Sequence, residues 1–373
     1  MARLEQITLR EIRLPLREPF RISSGVVTER RIPLLELRDV DGVSVWSECV
    51  ALELPNYSAE AIDTAWYAIS EWVAPRVIGR DFAHPRDVHP ALEADFRGNW
   101  MAKAAVEMGM WVLEATRQGV PLATLLGGTR REVATGISLG IQSSPDALVA
   151  QARAALAQGY RKIKIKIAPG RDVAYVRAVR EALGPDAPLM ADANNAYQLA
   201  DAGLLAQLDD LDLMMIEQPL AWDDIVQHAD LQTRLRTPLC LDESISSVDR
   251  ARDMVTLNAG RIINIKPGRV GGFTSSLAIH DFCLAHHIDV WCGGMLESGI
   301  GRGCNVALAS LPGFTKPGDL SPSARYWERD VVTPEWTMNS DGMVTVPLDR
   351  PGLGVDVDVD RIDDLTVRTV VLR

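Results

Sequence analysis

The sequence predicts an α/β protein in which a TIM-type barrel of parallel strands is joined to a smaller α+β domain. Short apolar runs alternate with helical segments of about 10–15 residues through the centre of the chain, which is typical of βαβ units. The charged ends of these runs, Lys166, Asp192, Glu217, Asp242 and Lys266, recur at intervals of 26, 25, 25 and 24 residues. A closed barrel gathers such ends around one mouth, whereas an open doubly wound sheet spreads them along a line. No G-x-G-x-x-G motif follows any run, which disfavours the open sheet.

The amino-acid composition indicates which partners, cysteine chemistry and location to expect. The chain has 373 residues, with 39 Lys and Arg against 50 Asp and Glu, and its net charge of −11 makes nucleic acid an unfavourable partner. The five cysteines are odd in number and form no C-x-x-C pair, so we expect reduced thiols rather than disulfides or a zinc site. The first 20 residues lack the continuous apolar stretch of a signal peptide or membrane helix, so we expect a cytoplasmic protein without a membrane partner.

The first third of the chain predicts the α+β domain. Residues 1–54 alternate in short β-rich runs, such as Ile7–Leu14 and Pro33–Leu37, which indicates a small antiparallel sheet. Helical spacing follows over residues 59–117, and its strongest part is Met101–Arg117.

The parallel strands occupy the middle of the chain, and short strands return near its end. We therefore divide the chain into residues 1–126, 127–326 and 327–373, and expect the last part to rejoin the first. The predicted parallel strands are Val133–Ser138, Lys162–Ile167, Leu189–Asp192, Leu213–Glu217, Leu239–Asp242, Ile262–Lys266 and Asp289–Cys292.

Three carboxylates end three successive predicted strands: Asp192 in ADANNAY, Glu217 in MMIEQPL and Asp242 in CLDES. Buried carboxylates are rarely unpaired, and three oxygen ligands around one mouth suit Mg²⁺, for which Mn²⁺ or another divalent cation could substitute. The alternative is that each carboxylate caps the helix that follows it. Any one of them alone fits either interpretation, but their common period favours the metal site.

Lysines flank these carboxylates along the chain. In the run KIKIKI the lysines share one face of a strand and the isoleucines the other, so Lys164 and Lys166 would point into the barrel. A half-solvated antiparallel strand has the same pattern, and Lys266 could likewise be a surface residue. If both lysines flank a metal, a nearby cation lowers the pKa of an ammonium toward that of a general base. The metal would hold a carboxylate and stabilise the enediolate that forms when the α-proton leaves.

Several motifs together resemble the enolase superfamily, specifically the muconate-lactonising-enzyme subgroup and its o-succinylbenzoate synthase/N-succinylamino acid racemase family. The resemblance covers nearly the whole chain. It is carried by ECVAL, SLGIQ, KIKIKIAPG, DANNAY, IEQPLAWDD, PLCLDES, INIKPGRVGG, WCGGMLESGIGR and PGDLSPSARYWERD. It implies a (β/α)7β barrel, with the first and last parts of the chain forming a capping domain.

The resemblance also implies roles for individual residues. Asp192, Glu217 and Asp242 would be the metal ligands, and Lys166 and Lys266 the acid/base pair on opposite faces of the substrate. Supporting roles fall to Lys164, which would orient Lys166, to Asn194 and Glu243 as partners of the metal site and of Lys266, and to Arg269, a residue type found in racemase-capable members. The residues implied to contact the substrate are Phe20, Ser24, Tyr57, Ser138, Gly294, Met295, Leu296, Glu297 and Ser298.

The implied function is Mg²⁺-dependent removal of a proton alpha to a carboxylate. The reaction would yield o-succinylbenzoate by dehydration, racemised N-acyl (N-succinyl) amino acids, or both. Muconate cycloisomerase and dipeptide epimerase of the same subgroup are alternatives, and a non-catalytic barrel scaffold is a further one. We expect a small-molecule carboxylate as substrate and a homo-oligomer, a dimer or larger.

Overall fold

The N-terminal part of the chain folds into an antiparallel sheet covered by helices. The computed structural model describes residues 2–22 and 25–373, so the predicted substrate contact Ser24 lies outside the described residues. The strands of this part are β1 (Ala2–Ile22), β2 (Gly25–Asp39), β3 (Ser44–Glu48) and β4 (Asp81–Phe82), and its helices are α1 (Ile62–Ala68), α2 (Val88–Glu93), α3 (Trp100–Gln118) and α4 (Leu122–Leu126). Antiparallel pairing joins β1 to β2, β2 to β3 and β1 to β4.

Helix α3 contains the predicted helix Met101–Arg117 and is buried along most of its length. It lies close to the sheet because Gly109 has no side chain: a Cβ there would lie 2.7 Å from Leu37 Cδ2. The helix ends at Gln118 and is followed by Gly119, whose φ of 68° is the left-handed conformation that suits a C-cap glycine.

The middle of the chain forms a parallel sheet with helices between its strands. Across the described residues seven strands make up this sheet, and they follow one another in chain order from β6 to β12. The strands of this region are β5 (Glu132–Ala134), β6 (Ile137–Leu139), β7 (Ile163–Lys166), β8 (Leu189–Asp192), β9 (Ile216–Glu217), β10 (Leu239–Leu241), β11 (Ile262–Ile265) and β12 (Asp289–Cys292). The helices are α5 (Pro145–Ala157), α6 (Val173–Leu183), α7 (Ala202–Leu205), α8 (Val226–Arg234), α9 (Val248–Leu257), α10 (Phe273–Ala285) and α11 (Gly299–Ala309). The chain is thus an α/β protein.

One predicted strand was wrong. The run Val133–Ser138 is divided between β5 and β6, and β5 pairs outside the parallel sheet. Gly136 lies at the break, where a Cβ would be 2.6 Å from Lys162 Cε. The chain therefore turns from one sheet to the other where the backbone passes the lysine closely. Each of the other six predicted runs contains an observed strand.

The alternation in β7 separates an apolar face from a charged one. Ile163 and Ile165 are buried in a cluster that includes Ala152 of α5 and Val176 of α6. Lys164, between the two isoleucines, lies on the opposite face of the strand. The apolar face thus anchors the strand against helices while the other face carries charge.

The C-terminal part of the chain returns to the first sheet. It contains β13 (Val332–Thr333), β14 (Met343–Thr345), β15 (Asp356–Val357), α12 (Val359–Leu365) and β16 (Thr366–Leu372). Strand β16 pairs antiparallel with β1, and β14 pairs antiparallel with β5. The end of the chain therefore contacts both the N-terminal sheet and the region next to the parallel sheet.

A segment without regular strand structure, residues 314–320, lies between the two edge strands of the parallel sheet. On one side Asp319 N donates to Cys292 O at the end of β12, at 2.8 Å. On the other side Gly318 N donates to Ala134 O at 2.9 Å, and Gly136 N donates to Gly318 O at 2.7 Å. The segment thus links β12 to the residues that lead into β6.

The five cysteines all lie within the described residues, where they are buried and free. In the part of the chain that the structure describes, none of the helices combines the length and apolar character needed to cross a membrane.

Candidate active site

Successive parallel strands bring five charged side chains to one edge of the sheet. Lys166, Asp192 and Glu217 are the last residues of β7, β8 and β9, and Asp242 and Lys266 directly follow β10 and β11. The register pairs Lys166 with Asp192 and Asp192 with Glu217. The order along the edge is therefore lysine, three carboxylates, lysine.

The three carboxylates are buried, and each has at least one ammonium group beside it. Lys164 Nζ lies 2.8 Å from Asp192 Oδ2 and 2.7 Å from Glu217 Oε2. Lys266 Nζ lies 2.7 Å from Asp242 Oδ2. The lysines thus neutralise carboxylates that would otherwise be buried charges.

Of the three carboxylates, Glu217 has its negative charge least well balanced by neighbouring ammonium groups. Burial, followed by the negative charge of Asp192, raises the pKa of Glu217 to about 7. By contrast, burial of Asp192 is outweighed by Lys164 and Lys166, which hold its pKa below the usual range. Among the described residues Glu217 Oε2 finds no partner in hydrogen-bond geometry, although Lys164 Nζ is close.

Further positive charge would therefore stabilise these three carboxylates, and carboxylate oxygens are the ligands that Mg²⁺ prefers. With the lysines placed as they are, no group of three or more His, Cys, Asp or Glu side chains in the described ranges is arranged to hold a metal ion. The oxygens of Asp192, Glu217 and Asp242 are donors of the type that a divalent cation takes, and in this structure the Lys164 ammonium lies beside two of these carboxylates.

Lys166 is held from two sides. Its Nζ lies 2.6 Å from Asp192 Oδ2 and donates a short hydrogen bond to Asn194 Oδ1. Asn194 Nδ2 in turn donates to Glu243 Oε1 at 3.1 Å. Burial, followed by the charge of Asp242, raises the pKa of Glu243 to about 8. Glu243, expected beside Lys266, thus has its hydrogen bonds on the Lys166 side of the site.

Lys266 has a different set of neighbours. Its Nζ donates to Tyr57 Oη at 2.9 Å as well as to Asp242, and it lies 4.6 Å from the centre of the Tyr57 ring. Arg269 Nε lies 3.1 Å from Asp242 Oδ1, so the predicted supporting arginine reaches Lys266 through this carboxylate. Burial alone lowers the pKa of Lys266, but the charge of Asp242 outweighs it and raises the pKa. This direction is opposite to the expected effect of a neighbouring cation, because the nearest charged groups are carboxylates.

A small cavity of about 60 Å³ opens onto the three lysines of the site. Four of the predicted substrate contacts line it: Phe20, Ser138, Gly294 and Leu296. Tyr57 lies on Lys266 instead. Apart from Ser24, which lies outside the described residues, the remaining three make contacts within the protein: Met295 N and Asn305 donate to Glu297, and Ser298 Oγ donates to Glu48.

Several residues of the site were not predicted from the sequence. Asn264 Nδ2 donates to Glu217 Oε1 at 2.8 Å, and Gln218 Oε1 accepts from Asp242 N at 2.9 Å. Both are polar residues within or next to apolar strands, which is a signal that could have found them. Asp319, Arg302 and Tyr326 also line the cavity. They lie within the motifs PGDLSPSARYWERD and WCGGMLESGIGR, which is the signal that could have found them.

Comparison with protein families covers nearly the whole chain. Residues 5–127 match the family described as "Mandelate racemase / muconate lactonizing enzyme, N-terminal domain". Residues 147–361 match the family described as "Enolase C-terminal domain-like". Together these two matches contain the lysines and carboxylates of the candidate site.

Individual relatives align along almost their full length. The chain is 48% identical to an o-succinylbenzoate synthase of Geobacillus kaustophilus over 363 residues, which are 97% of this chain and 96% of the relative. It is 46% identical to an N-succinylamino acid racemase of Thermus thermophilus over 365 residues, 98% of each chain. Among solved structures, a member of the enolase superfamily from Listeria innocua superposes with a TM-score of 0.95 at 38% identity, covering 100% of this chain and 99% of the other.

Proposed function

The chain belongs to the enolase superfamily, in its muconate lactonizing enzyme subgroup, and we propose that it is an enzyme that removes a proton alpha to a carboxylate. The products are o-succinylbenzoate by dehydration, racemised N-succinyl and other N-acyl amino acids, or both, as the names of the relatives suggest. One observation carries this proposal: two lysines, Lys166 and Lys266, stand at opposite ends of a row of three buried carboxylates.

We infer that the parallel sheet closes into a (β/α)7β barrel and that the first and last parts of the chain cap it. The hydrogen bonds of Gly318 and Asp319 to the two edges of the sheet support closure, and the pairing of β16 with β1 supports a single capping unit. The proposed divisions remain residues 1–126, 127–326 and 327–373. Closure would bring the strand ends around one mouth, where barrel enzymes have their active sites.

Asp192, Glu217 and Asp242 would hold Mg²⁺, with Mn²⁺ or another divalent cation as a substitute. Glu217 Oε2 has the Lys164 ammonium beside it without hydrogen-bond geometry, and burial raises the pKa of Glu217; both observations support the assignment. When bound, the cation holds the substrate carboxylate and stabilises the negative charge that develops when the α-proton leaves.

The lysines carry out the proton transfers. In racemisation one amine removes the α-proton from one face of the carbon, and the ammonium on the other flank donates a proton to the opposite face. In dehydration one lysine removes the proton and delivers it to the departing hydroxyl group, so that water leaves, while the other lysine remains a cation beside the enolate. Asn194 orients Lys166, and Tyr57 orients Lys266.

The small volume of the cavity suits a reaction that must exclude water. Phe20 reaches the cavity from β1, and Tyr57 comes from the loop that follows β3. We propose that both cover the bound substrate, since closing segments of this kind protect reactive intermediates from solvent.

The alternative functions differ from the proposed one in the residues or the sequence similarity that they would require. A non-catalytic scaffold would not require the ligands and both lysines together, yet all five are present at adjoining strand ends. Muconate cycloisomerase and dipeptide epimerase share the same chemistry, but identities of 46–48% to the synthase and the racemase favour the proposed substrates.

We further propose a small carboxylate as substrate and a homo-oligomeric assembly, as is usual in this family.

Proton NMR of N-succinyl amino acids in D₂O with Mg²⁺ tests the proposal. We expect the α-proton signal to disappear through exchange, and the exchange to stop with EDTA. Lys166→Ala and Lys266→Ala should each abolish racemisation. Dehydration without any exchange would assign the synthase reaction alone, and the absence of both reactions would refute the proposed function.

A further inference from the structure

Asp319 lies in the interior of the site and has no part in the proposed proton transfers. We propose that Asp319 is a positioning residue that holds Lys164 in place and thereby keeps Lys166 correctly oriented, while Lys266 does not depend on it. This inference rests on the proposed function, because its consequence is a difference between the two lysine-dependent half-reactions.

Charges of alternating sign connect Asp319 to Lys166. Lys164 Nζ donates a hydrogen bond to Asp319 Oδ2 at 3.3 Å and contacts Asp192 Oδ2 at 2.8 Å. The same Asp192 oxygen lies 2.6 Å from Lys166 Nζ. Two ammonium groups therefore share one carboxylate oxygen, and Lys164 is also bound by Asp319 and by Glu217 Oε2, the latter at 2.7 Å.

Lys162 provides a second cation for Asp319. Its Nζ is fully buried, lies 3.1 Å from Asp319 Oδ1 and stands 3.4 Å from the centre of the Trp291 ring. This contact lacks hydrogen-bond geometry, whereas the Lys164 contact has it. Lys162 thus balances the charge of Asp319, and the directional bond of Asp319 is made to Lys164.

The backbone fixes Asp319 where it stands. Its N–H donates to Cys292 O at 2.8 Å, and its carbonyl accepts a short hydrogen bond from the Arg302 guanidinium. The preceding Gly318 donates to Ala134 O at 2.9 Å. A carboxylate anchored by β12, α11 and the approach to β6 can hold a flexible lysine side chain in one position.

Loss of the Asp319 charge would therefore act on one side of the site. Lys164 would then be held by Asp192 and Glu217 alone, and it would compete more strongly with Lys166 for the shared oxygen. Lys266 instead contacts Asp242 and Tyr57. Neither of them belongs to the row of charges formed by Asp319, Lys164, Asp192 and Lys166.

The test uses Asp319→Asn, which keeps the shape of the side chain and removes its charge. Deuterium exchange is measured separately for N-succinyl-L-phenylalanine and its D-enantiomer, with Mg²⁺ present. Lys166→Ala identifies the enantiomer whose proton Lys166 removes, since this exchange is lost. We expect Asp319→Asn to slow that exchange about tenfold or more, as is typical of residues that orient a catalytic group from behind. Exchange of the other enantiomer should change much less.

A double variant separates positioning from simple charge balance. Lys162→Met combined with Asp319→Asn removes one buried cation and one buried anion, so the interior stays balanced even if the single variant fails to fold. A one-sided defect that persists in the double variant supports positioning. Equal slowing of both enantiomers, or full recovery in the double variant, would overturn the inference. If the wild-type protein exchanges neither enantiomer, the inference fails, and if it also carries out no dehydration, the proposed function fails as well.

Discussion

Tyr57 Oη lies 2.9 Å from Lys266 Nζ, although the two residues are 209 positions apart. The same hydroxyl donates to both oxygens of Asp242 at 3.1 Å. A loop of the N-terminal part of the chain thus completes the surroundings of one of the two proposed acid/base groups. The proposed activity depends on how this loop lies against the parallel sheet.

Tyr57→Phe should impair the half-reaction that uses Lys266. The variant loses a hydroxyl that bonds an ammonium and a carboxylate, and hydrogen bonds to charged groups contribute about 1.5–3 kcal/mol. If this stabilisation is lost in the transition state, the rate falls about 10- to 150-fold. Exchange of each enantiomer in D₂O measures the effect. Tyr67→Phe, at an exposed tyrosine, is the matched control and should leave both rates unchanged. A Tyr57→Phe enzyme that exchanges both enantiomers at the wild-type rate would contradict this assignment.

Gly293→Ala should displace Lys266 by steric contact alone. A Cβ at this position would lie 2.7 Å from Lys266 Cε and 2.3 Å from Asn264 Oδ1. Either side chain must move, so we expect a loss of activity of about tenfold or more, comparable to that caused by misplacing a catalytic group. Gly203→Ala is the control, because a Cβ there meets nothing within 4 Å. Steady-state kinetics of both variants, with thermal unfolding as a check on folding, measure the effect. Unchanged kinetics of Gly293→Ala would show that the site tolerates the added methyl group.

Glu217→Gln should weaken binding of the proposed cation. The substitution keeps a neutral oxygen donor but removes the charge of the carboxylate whose pKa is raised to about 7. We expect the dissociation constant for Mg²⁺, measured by titration calorimetry, to rise at least tenfold, which is about the effect of altering groups that only support a metal ligand. Glu53→Gln changes a carboxylate whose side chain is 63% exposed and should have no effect. Equal Mg²⁺ affinity in wild type and Glu217→Gln would remove this residue from the ligand set.

Glu48→Gln should change how stability depends on pH. Burial is the largest cause that raises the pKa of Glu48 from 4.5 to about 8, and hydrogen bonds from Ser298 and Gly301 oppose it. Because the folded pKa lies above the unfolded one, the native state binds more protons between about pH 4.5 and 8. The contribution of Glu48 to stability therefore falls as the pH rises through this window, by at most about 1.4 kcal/mol per pH unit.

Denaturant unfolding at several pH values tests this sign. The difference in free energy of unfolding, Glu48→Gln minus wild type, should increase from pH 4.5 to pH 8. Glu328→Gln, at a side chain that is 89% exposed, should follow the wild-type curve. A constant difference between Glu48→Gln and wild type across the window would refute the upward shift of the Glu48 pKa.

The sequence was informative where a pattern repeats locally. Six of the seven predicted strands contain observed strands, and the helix Met101–Arg117 is observed with one more residue at each end. The spacing of about 25 residues predicted that Asp192, Glu217 and Asp242 would meet at one edge, because parallel strands joined by helices end on the same side. The family followed from the motifs, and the comparisons confirmed it.

Only the tertiary structure decided which residues complete the site. Asp319 lies 155 positions from Lys164, and Tyr57 lies 185 positions from Asp242, so no local periodicity could pair them. The sequence predicted neither the division of Val133–Ser138 nor the contact of Asp319 with Lys164, because both depend on close approaches between distant segments. Hydrophobic periodicity records which face of an element is buried, but the partner of a buried charge is set by packing in three dimensions.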